Sequence, residues 1–464
     1  MASKARGGEK LAHIVVLPFA QQGHINPLMQ LSRKLASRGA DVTFVVSENT
    51  ASTAAAGALP NLKIVGIPDN LPPERSKGSS FRDSVDSMIN MESSFANLLH
   101  QLRDTVSAVI YDGFMTWVPA IAHSFSIPCF CFFTTNATAS AVCYYVPSLI
   151  KAGVLPFRKE GDNDSPLPQD TVKGIEGAPE LLPEEFPMCL TFDATHFRFR
   201  FVANIAEKLH DASAIIINTM EELESDAIAA LKVHKPVFTV GPLLLLSGRP
   251  SRLHVNYWPE EDHCLHWLDS QAPSSVLYVS FGSVASLSLD HFQDLALGLE
   301  ISEQPFLWVI RPDSIEVPLE SALPDGFQER TKERGLIITW GPQLLILSHP
   351  SIGGFLTHGG WNSIIENMSL GSVPMICWPH VAEQRLNRRM MARHWNIGIG
   401  LQHRSDGSVA KEDIARSARE LFHGKKGVEL QNASKKVGDI AKTAIAEEGS
   451  SQKNFEALYN LLSS

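Results

Sequence analysis

The sequence has no surplus of positive charge and no long apolar run. Its 40 Lys and Arg residues are outnumbered by 50 Asp and Glu residues, and the formal net charge is −10. Nucleic-acid-binding proteins usually show a basic surplus, so this balance argues against a nucleic-acid partner. The apolar residues 11–17 are too few to span a bilayer and end at Pro18, which favours a strand over a signal peptide. We expect a cytoplasmic protein without a membrane span.

Three chemical signatures are also missing. The six cysteines are scattered through 464 residues without the paired spacing of a zinc site, which fits a reducing compartment. No G-x-G-x-x-G follows the first apolar run, which argues against a dinucleotide oxidoreductase. No pair of carboxylates suited to a glycosidase is evident.

Short apolar runs alternate with longer helical patterns along the whole chain. Such continuous runs indicate strands covered on both faces, as in parallel sheets with helices on either side. The length suits two domains. The predicted strands are residues 14–17, 42–46, 63–67, 108–111, 128–133, 214–218, 276–281, 306–310, 335–339, 354–357, 374–378 and 397–401.

Composition suggests where the domains meet. Residues 241–259 are rich in Gly, Pro and Ser, as linkers are. We predict an acceptor-binding Rossmann-like domain at 1–245, a linker at 246–260, a second Rossmann-like domain at 261–445 and a C-terminal helix at 446–464 that packs back on the first domain. Two such domains facing each other leave a cleft at the carboxyl ends of their strands, where ligands bind.

A glycine-rich turn follows the predicted strand 354–357. It reads His358-Gly-Gly-Trp-Asn-Ser363 and leads into a helix. Glycine lets a ligand approach the backbone closely, and a helix N-terminus offers free N–H groups to a diphosphate. Ser363-x-x-Glu366 is also a capping box, which needs no ligand and is the commoner explanation of such a short match.

A longer segment of the sequence supports the ligand-binding interpretation of this turn. Residues 340–384 resemble the signature box of the plant family-1 UDP-dependent glycosyltransferases, enzymes of the GT-B fold with two facing Rossmann-like domains. Further similarity at 218–224, 267–269, 276–283, 306–311 and 323–327 extends over nearly the whole chain. The matching positions in the box are Trp340, Pro342, Gln343, His349, Pro350, Gly353, Phe355, Thr357, His358, Gly360, Trp361, Asn362, Ser363, Glu366, Gly371, Pro374, Pro379, Glu383 and Gln384.

The resemblance implies a role for each donor-site residue. Trp340 would stack on uracil, although a lone Trp is more often a core residue. The Gly341 backbone and Gln343 would hold the base and ribose, and Glu366 would accept from the ribose hydroxyls. His358, Asn362, Ser363 and Ser283 would bind the diphosphate, and Trp361, Glu383, Gln384 and Thr134 would contact the sugar. A final Gln is associated with glucose in this family, and Trp rather than Arg at position 361 argues against glucuronic acid.

Two departures from the family pattern occur. Gly359 stands where the family usually has Cys. Gly371-Ser-Val-Pro374 has one residue more than the family's Gly-Val-Pro, which would shift the register of Glu383 and Gln384 unless a loop absorbs it. We predict a bulged loop at residues 371–373.

Transfer to a hydroxyl requires a base, because an alcohol is a poor nucleophile at neutral pH. His24 lies between the first strand and a predicted helix, with Asn26 as its N-cap and Pro27 as its first residue. Asp112 directly follows a strand. Alone, His24 could be a solvated loop residue and Asp112 a helix cap, but the resemblance implies that they are the catalytic base and its orienting carboxylate.

We therefore predict an inverting transferase that moves glucose from a UDP-sugar to a small lipophilic secondary metabolite or hormone-like acceptor. Phe114, Trp117 and Tyr144 are candidates for the acceptor pocket. The UDP-sugar is a co-substrate, and we expect no metal, no other cofactor and a monomeric chain. A catalytically impaired UDP-sugar-binding protein and a UDP-sugar epimerase are the alternatives.

Overall fold

The computed structural model describes residues 12–53, 59–72, 75, 81–247, 260–282, 287–315, 317–402, 404 and 408–463. Within these residues the strands form two sheets, one from each half of the chain, and every pair of neighbouring strands is parallel. This is the pair of Rossmann-like domains expected from the alternating apolar runs.

The N-terminal sheet has the order β3-β2-β1-β4-β5-β6-β7. Its strands alternate between two cores: Val15 and Leu17 of β1 pack on one face, and Ile14 and Val16 pack on the other. The strands are β1 His13–Leu17, β2 Asp41–Ser47, β3 Leu62–Ile67, β4 Ala108–Asp112, β5 Cys129–Phe133, β6 Ala214–Ile217 and β7 Val237–Thr239.

Helices cover both faces of this sheet. The first of them ends at Gly39, whose φ of 114° favours glycine. The helices are α1 Gln22–Arg38, α2 Glu48–Thr53, α3 Phe81–Asn90, α4 Glu92–Leu102, α5 Val118–Ser124, α6 Ala137–Lys151, α7 Phe197–Lys208, α8 Ser225–Lys232 and α9 Leu243–Leu246, with 3₁₀ turns at Pro183–Glu185, Met188–Thr191 and Leu209–Asp211.

The C-terminal sheet has the order β10-β9-β8-β11-β12-β13 and its own two cores. The strands are β8 Val276–Ser280, β9 Phe306–Val309, β10 Gly335–Ile338, β11 Ile352–Thr357, β12 Met375–Cys377 and β13 Gly398–Gly400. The helices are α10 His263–Asp269, α11 Leu289–Ser302, α12 Leu319–Ala322, α13 Phe327–Thr331, α14 Gln343–Leu347, α15 Trp361–Ser369, α16 Gln384–Arg389, α17 Lys411–His423, α18 Lys425–Ala444 and α19 Ser450–Leu462, with a π-helical turn at Met390–His394.

The last helix lies on the N-terminal domain. Phe455 and Leu458 of α19 are buried in the same core as Ile14 of β1, and the Tyr459 hydroxyl donates to the Arg38 carbonyl. The predicted linker lies mostly outside the described residues, since 248–259 are not described.

The turn at residues 371–373 absorbs the extra residue. Ser372 has a φ of 48°, and its N–H donates to the Asn367 carbonyl at 2.6 Å. Strand β12 then pairs with β11 from Phe355↔Met375 onward. Because the irregularity ends before the strand begins, the side chains of β12 keep their faces.

Two details differ from the expectations. The short strand β7 was not predicted. Helix α1 begins at Gln22 rather than at Pro27, so His24 lies in its first turn instead of the loop before it. Pro27 is tolerated inside α1 because the carbonyl that its missing N–H would have bonded, Gly23 O, instead accepts a hydrogen bond from Asn362 Nδ2 of the other domain.

Candidate active site between the two domains

A cleft of about 710 Å³ lies between the carboxyl edges of the two sheets, and both domains line it. Among the described residues, the predicted positions His24, Thr134, Trp340, Gly341, Gln343, His358, Trp361, Asn362, Ser363, Glu366, Glu383, Gln384 and Phe114 line this cleft. Asp112 lies directly behind His24. Ser283 lies outside the described residues.

His24 and Asp112 form a hydrogen-bonded pair. His24 Nδ1 is 2.7 Å from Asp112 Oδ2, and Asp112 Oδ1 accepts from the Phe114 N–H at 3.0 Å. A carboxylate can only accept, so the proton between them is on Nδ1 and the basic nitrogen of neutral His24 is Nε2. Thr134 Oγ1 is also within 3.2 Å of Nδ1. Asp112 is fully buried, whereas the His24 side chain is 15% exposed, toward the cleft.

The end of the cleft formed by Trp340 is polar and partly enclosed. Gln343 Nε2 donates to Glu366 Oε2 at 2.6 Å, and the Tyr278 hydroxyl donates to Gln343 Oε1. Burial raises the pKa of the Glu366 carboxyl to about 7, with the bond from Gln343 opposing that rise. The Trp340 indole is only partly buried and lies on the cleft wall, as a stacking surface would.

The neighbouring region is a helix N-terminus whose backbone donors face the cleft. Helix α15 begins after Gly360 without a side-chain cap, and Gly359 has a φ of 80° that favours glycine. Ser363 is the third residue of α15 rather than its N-cap, so the capping-box explanation of Ser363 and Glu366 is wrong. The uncapped N–H groups can bind an anion.

His358 and Arg311 flank this helix terminus. Burial and the Arg311 charge lower the pKa of His358 to about 4, so its imidazole is neutral. Arg311 is buried, donates to the Gly282 carbonyl and pairs with Asp313 at 3.1 Å. No role was predicted for Arg311 from the sequence, and the structure places this buried arginine on the cleft wall, where it brings positive charge close to the N-terminus of α15.

Glu383 and Gln384 close the cleft opposite His24. The pKa of the Glu383 carboxyl is raised by burial, and the nearby His24 opposes part of that rise. Gln384 Oε1 accepts from the backbone N–H groups of His380 and Val381, which leaves the amide NH₂ as its donor group.

A buried asparagine pair that the sequence analysis missed holds Glu383. Asn387 Nδ2 donates to Glu383 Oε1 and to the Gly359 carbonyl, and Asn387 Oδ1 accepts from Asn136 Nδ2 of the N-terminal domain. The pairing could not be found in the sequence because 251 positions separate the two residues.

Trp361 has a structural side chain. Its indole is only 2% exposed, donates to the Asn218 carbonyl of the N-terminal domain at 2.9 Å and packs near Trp395. Its backbone N–H interacts with the Glu383 carboxylate. Trp361 therefore joins the domains at the cleft wall, and its ring is committed to that interface.

The acceptor side is apolar, but two of its three predicted residues do not line it. Phe114 lies 4.7 Å from the His24 ring and 5.4 Å from Phe201, and Phe81 packs on Phe201. Trp117 instead packs on Phe95 and donates to the Met88 carbonyl. Tyr144 is buried between His210 and His234. The structure does not bring these two residues to the cleft, because Trp117 lies in the turn before α5 with its ring against Phe95, and Tyr144 lies on a face of α6 that packs against His210 and His234.

The described residues contain no cluster of three or more His, Cys, Asp or Glu side chains suited to a metal ion. In the described part of the chain no helix is both long and apolar enough to cross a membrane.

The site therefore places the hydrogen-bonded pair of His24 and Asp112 on one Rossmann-like domain across a cleft from the N-terminus of α15 on the other. Two parallel-sheet domains with a cleft between the carboxyl ends of their strands have the GT-B arrangement that the sequence resemblance implies.

Comparison with known proteins agrees. A family model described as UDP-glucoronosyl and UDP-glucosyl transferase matches residues 203–427, and a glycosyltransferase N-terminal domain model matches residues 10–59. The chain is 35% identical to 7-deoxyloganetin glucosyltransferase of Gardenia jasminoides, with 97% of both chains covered. It is 34% identical to (R)-mandelonitrile beta-glucosyltransferase of Prunus dulcis, covering 97% of this chain and 96% of that one.

Solved structures share the fold over the full length. Phytolacca americana UGT2, complexed with UDP-2-fluoro-glucose and pterostilbene, is 29% identical with a TM-score of 0.81, covering 98% of this chain and 100% of that one. A UDP-glucosyltransferase from Polygonum tinctorium capable of glucosylating indoxyl is 28% identical with a TM-score of 0.84, covering 98% and 99%. The chain belongs to the family-1 UDP-dependent glycosyltransferases of plants.

Proposed function

We propose that this enzyme transfers glucose from UDP-glucose to a hydroxyl of a small lipophilic plant metabolite, with inversion at the anomeric carbon. The observation that carries the proposal is the position of His24. Its Nδ1 is engaged by Asp112, and its side chain lies on the cleft wall between the aromatic acceptor side and the anion-binding end of the donor side. The named small-molecule glucosyltransferases among its relatives support the choice of donor and the acceptor class.

The reaction is a single displacement. His24 Nε2 takes the proton of the acceptor hydroxyl while its oxygen forms a bond to the anomeric carbon. The bond from that carbon to the β-phosphate oxygen breaks, and UDP leaves with the electron pair. Asp112 stabilises the imidazolium that forms, and the α15 terminus, Asn362 and Ser363 stabilise the charge on the leaving diphosphate.

In this proposal the UDP-sugar extends along the cleft from Trp340 to His24. Uracil stacks on Trp340 beside Gly341 and Gln343, and Glu366 accepts from the ribose hydroxyls. His358 and Ser283 join the diphosphate site, and Thr134, Glu383 and Gln384 contact the glucose, with Trp361 contributing its backbone.

Replacing His24 tests the mechanism. His24→Ala should lower the rate of transfer by about 10²- to 10⁴-fold, because general-base catalysis contributes about that much, while UDP affinity stays unchanged. The assay combines UDP-glucose with a panel of phenolic and terpenoid acceptors and detects product by mass, and calorimetry measures UDP binding. His100→Ala, an exposed histidine on the same domain, is the matched control.

Three results would contradict the proposal. Transfer at an unchanged rate by the His24 variant would show that His24 is not the catalytic base. Conversion of UDP-glucose to another UDP-sugar without an acceptor would indicate an epimerase. Binding of UDP-glucose with no turnover on any acceptor would indicate an impaired binding protein.

We also propose that the enzyme works as a cytoplasmic monomer without a metal ion or other cofactor. The six free cysteines, five of them buried, suit a reducing compartment. Light scattering should give the mass of one chain, cell fractionation should place it in the cytosol, and dialysis against a chelator should leave the rate unchanged. A rate that falls with the chelator and returns with a divalent cation would contradict the metal-independent mechanism.

A further inference from the structure

One arginine lies among the apolar side chains that line the acceptor side of the cleft in the described part of the chain. Two arginines line the cleft among the described residues, and Arg311 belongs to the donor side through its contact with Gly282 and its effect on His358. Arg198, the other, lines the cleft together with the apolar side chains of Phe201, Val202 and Ile205.

Helix geometry relates Arg198 to the reacting centre. Arg198, Phe201, Val202 and Ile205 have the spacing i, i+3, i+4, i+7, so they share one face of α7. Phe201 contacts Phe114, which contacts His24. Arg198 is about 4.5 Å further along the helix axis than Phe201, since each residue rises about 1.5 Å. An aromatic acceptor with its hydroxyl at His24 would therefore extend past these rings toward Arg198.

The guanidinium has no acidic partner within ion-pair distance in the described part of the chain. The guanidinium carbon lies 5.7 and 5.8 Å from the ring centroids of Phe192 and Phe197. Burial raises the pKa of the nearby Cys189 thiol, and the Arg198 charge opposes that rise. Cys189 itself lines the cleft, which places the positive charge at the cavity wall. Arg198 is half-buried, so its charge is partly shielded from water.

The guanidinium fork can donate two parallel hydrogen bonds to the two oxygens of a carboxylate. We propose that the preferred acceptors carry a carboxylate at the end remote from the hydroxyl that receives the sugar, and that Arg198 binds this carboxylate. This inference rests on the proposed function of the cleft. It defines the substrate class as hydroxylated aromatic or terpenoid acids rather than neutral alcohols.

A matched pair of acceptors tests the proposal. The acid 3-(4-hydroxyphenyl)propanoate and its methyl ester differ in the charge at one end, and both are assayed with UDP-glucose. We measure kcat/KM for each acceptor with the wild type, Arg198→Leu and Arg198→Lys. Arg200→Leu, an exposed position on the same helix that does not line the cleft, is the control.

We expect the wild type to prefer the acid by about 10- to 100-fold, since a hydrogen bond to a charged group contributes that range of affinity. Arg198→Leu should abolish this preference by lowering kcat/KM for the acid while the ester changes by less than about threefold. Arg198→Lys should keep part of the preference, because it retains the charge without the fork. Arg200→Leu should keep all of it.

Two results would overturn the inference. Equal use of acid and ester by the wild type would do so even if the Leu variant failed to fold. Formation of an alkali-labile glucose ester from the acid would show that the carboxylate lies at His24 instead of Arg198. Failure of the proposed function looks different, because then neither the ester nor any neutral acceptor yields a glucoside.

Discussion

The two domains present similar helix termini at the cleft and treat them differently. In the N-terminal domain, α6 begins just after β5. Its Ala137 and Thr138 N–H groups donate to the buried carboxylate of Glu224, and Asn136 Oδ1 accepts from the Ala139 N–H. In the C-terminal domain, the N-cap Gly360 of α15 has no side chain to cap the helix, the Glu383 carboxylate interacts with the Trp361 N–H, and the first turn faces the cleft.

Both termini carry the same partial positive charge, because that charge comes from the helix backbone. Glu224 neutralises it in one domain, so that site is already occupied by the protein. In the other domain Glu383 interacts with the Trp361 N–H, and the N–H groups of Asn362 and Ser363 are left for a ligand, which in the proposed function is the diphosphate of UDP. The Glu224 carboxylate, rather than any difference in fold, therefore closes the helix terminus of the N-terminal domain, while the terminus of α15 stays open beyond Trp361.

Removing that carboxylate should have the largest effect on stability. Glu224→Ala leaves four buried donors, the N–H groups of Ala137 and Thr138 and the hydroxyls of Thr138 and Thr219, without their acceptor. We expect the free energy of unfolding in urea to fall by about 3–5 kcal/mol. Glu224→Gln keeps one acceptor oxygen and should lose less. Exposed Glu222→Ala is the control, and an unchanged Glu224→Ala midpoint would contradict the internal-anion role.

Adding a carboxylate to the open terminus should have the next largest effect. Asn362→Asp places a negative charge in the first turn of α15, where it would repel a diphosphate, and like-charge contacts of this kind cost up to several kcal/mol. UDP affinity measured by calorimetry should fall at least about tenfold below that of Asn362→Ala, which loses the same bond to Gly23 without adding charge. Uridine, which has no phosphate, should bind all three proteins alike. Equal losses of uridine and UDP affinity would mean that the diphosphate lies elsewhere.

The smallest expected effect is a pH dependence of nucleoside binding at the polar end of the same domain. Ribose hydroxyls donate to the ionised form of Glu366, and the pKa of this carboxyl in the unliganded protein is raised to about 7. Uridine affinity should therefore rise as pH increases toward 7 and level off above it. Below 7 the loss is at most about tenfold per pH unit, the limit for one linked proton.

Uridine is the right probe because it avoids the titration of the phosphates. Glu366→Gln should give a weaker but flat profile. An affinity that rises as the pH falls would mean that the protonated carboxyl binds the ribose.

Much of the fold could be predicted because buried parallel strands need continuous apolar runs, and those runs are visible in the chain. The roles predicted for His24 and Asp112 came from the resemblance to the family, because their positions at strand ends also fit a solvated histidine and a helix-capping carboxylate. The start of α1 could not be predicted from the sequence. Pro27 is expected at the first helical position because, inside a helix, its missing N–H would leave the Gly23 carbonyl without a partner. Only the tertiary structure shows that Asn362 of the opposite domain donates to that carbonyl.

Residues whose role depends on orientation were the least predictable. Trp117 and Phe114 are three positions apart near the same sheet edge, yet one ring faces the core and the other faces His24. Arg198 belongs to no motif, and nothing local distinguishes it from Arg200. Glu224 appeared in a matching segment, but its four donors come from α6 and from the loop after β6, up to 87 positions away.

The amino-acid sequence by itself determined the two parallel-sheet domains, because strand periodicity is a local property of a chain, and its resemblance to a known family supplied the donor-site motif and the roles predicted for His24 and Asp112. Only the tertiary structure decided which helix terminus is open to a ligand, which rings form the acceptor wall and which arginine faces it. Those outcomes depend on the partners that distant segments supply, and a buried polar group finds its partner only when the domains have packed together.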